Sequence, residues 1–162
     1  QLIRLNMEVV QQKLTTLEEE LERLNLYLQL EQMRFGEQMH YELIVDDTID
    51  PEEIELPAML MQPFVENAIW HGIQRNKSGG WVKVYVDLQN DEILRIRIDD
   101  NGPGVFSDKS NRKNATNHTS RGIQITRNRL KYYDSSTKLD INERTDAAGI
   151  TIGTRVEMQL PV

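Results

Sequence analysis

Gln62–Pro63–Phe64–Val65–Glu66–Asn67–Ala68–Ile69–Trp70–His71–Gly72 is the stretch around which the rest of the chain is organised. Its spacing predicts an amphipathic helix closed by a glycine. Glu66 and Asn67 lie between apolar neighbours, and His71 follows Asn67 one helical turn later. Magnesium keeps several waters and takes one or two protein oxygens beside substrate phosphates. The amide oxygen of Asn67 suits that role; the competing reading is an asparagine tied to neighbouring backbone. Glu66 reads as a general base, a supporting group behind the site, or part of a solvated helix face. His71 is placed to contact phosphate or to pack beneath a neighbouring loop.

A metal-phosphate reading needs a second site, and Asp99–Asp100–Asn101–Gly102–Pro103–Gly104 can provide it. Val82, Val84, Val86 and Leu88 alternate with polar residues, as do Leu94, Ile96 and Ile98. These runs predict a β-hairpin with one buried face, with Asp100 at the end of its second strand. An ionised Asp only accepts hydrogen bonds, and a purine's exocyclic amine donates them. Gly102 and Gly104 permit a sharp turn and close approach to a planar ligand. The same residues also fit a plain turn. Ser107 to Arg121 is rich in polar residues and reads as a surface loop or, after a glycine-rich turn, as a mobile lid. Arg121 and Gly122 stand before a helix predicted over Gly122–Tyr133, with Ile123, Ile125 and Leu130 inward. Helix N–H groups at such a start favour phosphate; the plainer reading is loop solvation. His40 and His118 have no metal-like partner one turn away.

Toward the N-terminus, Leu2, Leu5 and Val9 recur at helical spacing. A threonine before Leu17–Glu18–Glu19–Glu20 predicts an N-cap with acids in the first turn. The helix it starts runs to Phe35 and stops at Gly36. Leu14, Leu17, Leu21, Leu24, Leu28 and Phe35 form a seam of the coiled-coil or bundle kind. We read it as a helical hairpin arm packing on another chain, the alternative being a helix lying on its own domain. Tyr41, Leu43 and Val45 predict a strand, and Pro57 is expected to open the central helix. Lys138–Asn142 and Ile150–Leu160 predict two more strands. The order suggests an α+β sandwich with helices on one face of a mixed sheet.

The formal net charge is −7 over 162 residues, which argues against general nucleic-acid binding. With no cysteine, disulfides and cysteine-based zinc sites are excluded. No apolar run approaches the ~18 residues of a membrane span, and no signal peptide precedes the first helix. The chain opens inside a predicted helix and is read as a fragment.

Together these motifs resemble the catalytic, ATP-binding part of sensor histidine kinases of the LytS/YesM type, within the GHKL superfamily of gyrase, Hsp-ninety-type chaperones and MutL. Leu60 to Ala68 with His71–Gly72 is similar to the family's N-box. Asp100–Asn101–Gly102–Pro103–Gly104 is similar to its first glycine box, and Gly122–Ile123 through Leu130 to its second. Gly153–Thr154–Arg155–Val156 through Pro161 looks like its closing strand, and Leu17 to Gly36 like its second dimerisation helix. The resemblance implies a Bergerat-type sandwich (residues 37–162) after a partial dimerisation hairpin (residues 1–36). It implies ATP and Mg²⁺, with Asn67 on the metal, Asp100 on the adenine amine, and Gly102 and Gly104 shaping the base pocket. Residues 105–121 would be the ATP lid, with Gly122 against the phosphates; by their own residue chemistry, Arg121 and His71 join as phosphate-binding candidates and Glu66 as the catalytic candidate. It further implies γ-phosphoryl transfer to a histidine and relay to the aspartate of a response regulator receiver domain. The parent would be a homodimer through its N-terminal helices, anchored in the bacterial inner membrane with this part cytoplasmic.

Three departures stand out. Trp70 occupies the place of the family's lysine before the histidine, and Ser120 that of the first glycine of the second box. No phosphoacceptor box occurs, so His40, His71 and His118 are not the acceptor and the fragment is not expected to phosphorylate itself. Two alternatives use the same residues: a degenerate nucleotide-binding or dimerisation module, and a GHKL ATPase with Glu66 as base.

Overall fold

A computed structural model describes residues 14–73, 79–104 and 116–162, with backbone only for 71–73 and 116–121. The expected helix carrying Leu2, Leu5 and Val9 and most of the expected lid lie outside these residues. Strand β1 (Leu14–Thr16) leads into helix α1 (Leu17–Phe35). Thr16 caps that helix by accepting from the Glu19 N–H at 3.2 Å, and Gly36 ends it at φ 58°. Both ends follow the local residue chemistry. Then come β2 (Met39–Val45), β3 (Glu55–Pro57), helix α2 (Gln62–Asn67) and a π-helical turn over Ala68–Ile73. Strands β4 (Gly80–Gln89) and β5 (Ile93–Asp100) form the expected hairpin. Its turn holds Asn90 and Asp91 at positive φ, a conformation those side chains tolerate. Helix α3 (Thr116–Tyr133), β6 (Lys138–Thr145) and β7 (Thr151–Pro161) complete the described chain.

The five-stranded sheet has the order β2-β4-β5-β7-β6. Only β2 and β4 are parallel; the other neighbours are antiparallel. The alternation seen in the sequence sets its faces. Val82, Val84, Val86, Leu94, Ile96, Ile98, Val156, Met158 and Leu160 are buried together with Phe64, Val65, Ile69 and Leu130. The expected α+β sandwich of helices on a mixed sheet, with an N-terminal helix, is the fold observed. No described helix is long and apolar enough to cross a membrane.

Four expectations are corrected. The α1 seam does not face another chain: Leu17, Leu21, Leu24 and Leu28 are buried in the same core as the sheet. Helical spacing states that one face is apolar, not what covers it. Pro57 ends β3, which pairs with β1, and Pro63 is the proline in the first turn of α2. Helix α3 begins at Thr116, six residues before Gly122. Within α3, Leu130 and Thr126 are buried and Ile123 is partly so, but Ile125 is exposed.

Leu28→Ala tests the seam. It should cost about 3 kcal/mol, the range for truncating a buried leucine. Urea denaturation should give the same loss at any protein concentration. A loss that depends on concentration would return the seam to an intermolecular interface.

Candidate functional site

Strand parity aims Asp100 inward. It continues the Leu94, Ile96, Ile98 face, while Asp99 points to the other side of the sheet. The Asp100 carboxylate is buried, and its Oδ1 accepts the N–H of Gly102 at 2.7 Å and of Thr154 at 3.2 Å. Its backbone carbonyl accepts from Arg144 Nη1 at 2.8 Å. The strand end is further fixed by Asn101, whose Oδ1 accepts the Trp81 N–H at 2.7 Å. Gly102 thus contributes a donor to the turn as well as freedom. At Gly104, φ is 89°, and a Cβ would overlap the Thr151 side chain and lie 2.9 Å from Glu143 Oε1.

On the opposite face Asp99 is buried in a bidentate pair with Arg155, at 2.8 and 2.7 Å. The Nε atoms of Arg97 and Arg144 each lie 3.8 Å from it. Arg144 also lies over the Trp81 ring, 4.8 Å from its centroid. Arg144 therefore links the outer-face ion cluster to the backbone of Asp100. Sequence reasoning named Asp99 and Thr154 within motifs but gave neither of them, nor Arg144, a role. The in-out alternation around Asp99 and Asp100 was the available signal; the partners lie far along the chain.

Burial raises the Asp100 carboxyl above its ordinary 3.8, against the opposing pull of Gly102, Thr154 and Arg144. A group whose folded-state pKa is raised contributes stability that is complete below the unfolded value and lost as pH rises through the folded one. Asp100→Asn should remove that loss. The thermal midpoint of the variant should vary less than wild type as pH rises from 3.8 toward neutrality. A variant tracking wild type across that window would disprove the burial effect.

Glu66 and Asn67 close the short helix α2, and both are half-buried. Glu66 Oε1 accepts from Gln62 Nε2 at 2.8 Å, one turn earlier. After Asn67 the helix widens into the π turn, a feature often found at functional sites. The side chain of His71 in that turn lies outside the described residues, as do those of Arg121 and His118. The π turn lies against β4 and β5, so the α2 segment and the Asp100 strand border one region of the fold. Gly122 is the seventh residue of α3, so its N–H is not among the first four that a helix leaves free. The expectation of a helix start at Gly122 is corrected accordingly. A Cβ there would meet nothing within 4 Å.

Among the described residues no group of three or more His, Asp or Glu side chains gathers as a metal cage. The amide oxygen of Asn67, half-buried at the end of α2, is of the chemical type that a hard cation accompanying a phosphate-bearing substrate would take as a single protein ligand.

No family model matches the chain. Over 140 residues it is 34% identical to the putative uncharacterized protein YwpD of Bacillus subtilis, covering 86% of this chain and 47% of that one. Over 109 residues it is 36% identical to the sensor protein LytS of Oceanobacillus iheyensis, covering 67% and 18%. Over 106 residues it is 34% identical to the sensor histidine kinase/phosphatase LytS of Staphylococcus aureus, covering 65% and 18%. The chain thus spans less than half the length of these curated relatives. Among solved structures, the catalytic domain of histidine kinase ThkA superposes with a TM-score of 0.63 at 15% identity, covering 92% of this chain and 94% of that one. Full-length ShkA in complex with AMPPNP gives 0.64 at 14% identity, covering 94% and 32%. ThkA in complex with the response regulator TrrA gives 0.58 at 15% identity, covering 92% and 41%. The chain is therefore a sequence relative of the LytS-type sensor histidine kinases, and its fold is that of a histidine kinase catalytic domain.

Proposed function

We propose that the chain is the ATP-binding catalytic part of a two-component sensor histidine kinase. The observation that carries this reading is the buried Asp100 carboxylate, held by the Gly102 and Thr154 N–H groups on the core face of β5, with the π turn that directly follows Asn67 packed against the same strand. The nucleotide seen in the ShkA complex and the response regulator in the ThkA complex support it by analogy of fold. In this proposal Asp100 accepts from the adenine amine, and Gly102 and Gly104 shape the base pocket. Asn67 ligates the Mg²⁺ that accompanies the triphosphate. His71, Arg121 and Gly122 lie toward the phosphates, and Glu66 polarises the attacking nucleophile. With Gly122 inside α3, its part is to let backbone come close, not to offer a helix terminus.

Phosphoryl transfer is mainly positioning and charge stabilisation. The bond from the γ-phosphorus to its bridging oxygen breaks, a bond to a histidine ring nitrogen outside this fragment forms, and ADP leaves. The phosphoryl group then passes to an aspartate of a receiver domain. We also propose that the parent is a membrane-anchored homodimer with this part on the cytoplasmic side. With the leucine seam buried, the α1 residues left for a partner are Leu26, Leu30 and Met33, which are 61%, 65% and 82% exposed.

Calorimetry with ATP, with and without Mg²⁺, tests the reading. Metal-enhanced binding is expected, together with no radiolabel on His40, His71 or His118 from γ-labelled ATP. Absence of binding would favour a degenerate module, a second reading motivated by Trp70, which is 46% exposed where the family carries lysine. Steady phosphate release lost in Glu66→Ala would point instead to an ATPase.

A further inference from the structure

Helix α2 is only six residues long and passes directly into a π turn. Isolated helices below ~12–15 residues are marginal, so its orientation depends on what holds it. Its apolar side is held by the core. The chain on either side of it meets one stripe of α1.

Glu20, Tyr27 and Arg34 are spaced by seven residues. At 3.6 residues per turn they fall within about 40° of one another along about 21 Å of helix. Glu20 and Arg34 contact the chain on either side of α2, and Tyr27 is coupled electrostatically to Glu66 between them. The buried Glu20 carboxylate accepts the N–H groups of Met59, Leu60 and Met61 at 2.8, 2.7 and 3.2 Å, just before α2 begins. Burial, chiefly, and the charges of Glu31 and Glu66 push the Tyr27 phenol up to about 12, against the opposing pull of Arg34. It remains a protonated donor at neutral pH. The Arg34 guanidinium lies 5.2 Å from the centroid of the Trp70 ring, in the π turn. The stripe thus touches the segment before and after the residues that carry Glu66 and Asn67, and between those contacts the Tyr27 phenol feels the Glu66 charge.

We propose that Glu20, Tyr27 and Arg34 are positioning residues that hold α2 and the π turn in register, so that α1 governs the placement of Asn67 and with it metal-dependent nucleotide binding. This rests on the nucleotide reading above. The base contact is carried separately by Asp100 on β5, so a disturbance of the stripe should leave metal-free binding intact. The same helix thereby provides a direct mechanical route from the N-terminal side of the chain to the metal site.

The test uses the whole chain with Arg34→Ala and Tyr27→Phe, and Arg34→Lys as the conservative control. The Arg34 side chain is 51% exposed, so its loss leaves the core untouched. Amide hydrogen exchange should quicken about threefold over residues 62–73 in Arg34→Ala, the scale of one exposed cation–π contact. Residues 94–99 should not change, and Arg34→Lys should recover most of the protection. The ratio of the ATP Kd in EDTA to that in Mg²⁺ should fall in both variants, with the EDTA value constant. If wild type binds no ATP in either buffer, the nucleotide reading fails and exchange alone decides the positioning. Unchanged exchange over 62–73 in both variants would overturn the proposal. So would equal loss of ATP affinity with and without metal, or faster exchange extending into β5.

Discussion

Glu20→Ala should lower the stability of this domain by about 3–5 kcal/mol, the scale for breaking a buried charged hydrogen-bond set. Glu20 sits in the first turn of α1 beside Glu18 and Glu19, yet it alone of the three is buried. Its two oxygens take three backbone N–H groups from residues 59–61, and Oε2 also accepts from Arg23 Nη1 at 3.0 Å. Truncation would leave three donors without partners, two of them in buried bonds. It would also release Met59 from φ 57°, a backbone conformation a side chain of that size rarely adopts. Glu20→Gln should recover only part of the loss, because its NH₂ would replace an acceptor facing a donor. Thermal unfolding should fall by roughly 10 °C for Glu20→Ala, given the usual shift per kcal/mol for this chain length. A change within 2 °C, inside ordinary surface variation of roughly 0.5 kcal/mol, would refute the role.

Gly153→Ala should do the greatest damage to the candidate site. A Cβ at Gly153 would fall on the Asp100 carbonyl oxygen and 2.8 Å from its carbon. Those are backbone atoms in a paired strand, so relief requires moving β5 or β7. The Arg144 guanidinium, 3.1 Å from the same position, blocks the remaining space. Overpacking of this kind costs about 3 kcal/mol. Nucleotide affinity should fall together with stability, because the displaced residue is Asp100. Gly149→Ala is the control: it also has positive φ, at 80°, but nothing lies within 4 Å of its Cβ. Its strain should be local and leave nucleotide binding unchanged. Equal nucleotide affinities for wild type and Gly153→Ala would show that the close approach does not position Asp100.

The strands were legible because their cause is local. Alternation at Val82–Leu88 and Leu94–Ile98 is written in successive residues, and one face had to be buried. The Thr16 cap and Gly36 stop were readable for the same reason, since each acts on atoms within four residues. The prolines misled because both Pro57 and Pro63 fit a first helical turn; pairing of β3 with β1, some forty residues apart in the chain, separates them. Ile125 looked core-facing at helical spacing, but the phase of α3 buries Leu130 and Thr126 and leaves Ile125 exposed.

By itself, the sequence determined the mixed α+β sandwich, the Asn67 segment and the Asp100 turn as the two candidate halves of a nucleotide site, and the family likeness. Each follows from residue types in consecutive positions. Only the tertiary structure decided that α1 packs its leucines into its own domain, that Glu20 holds the approach to α2, and that Arg144 and Gly153 confine Asp100. Those depend on atoms brought together from 40 or more residues apart. No local pattern encodes which distant backbone group will meet a buried carboxylate; the packing of the core selects it.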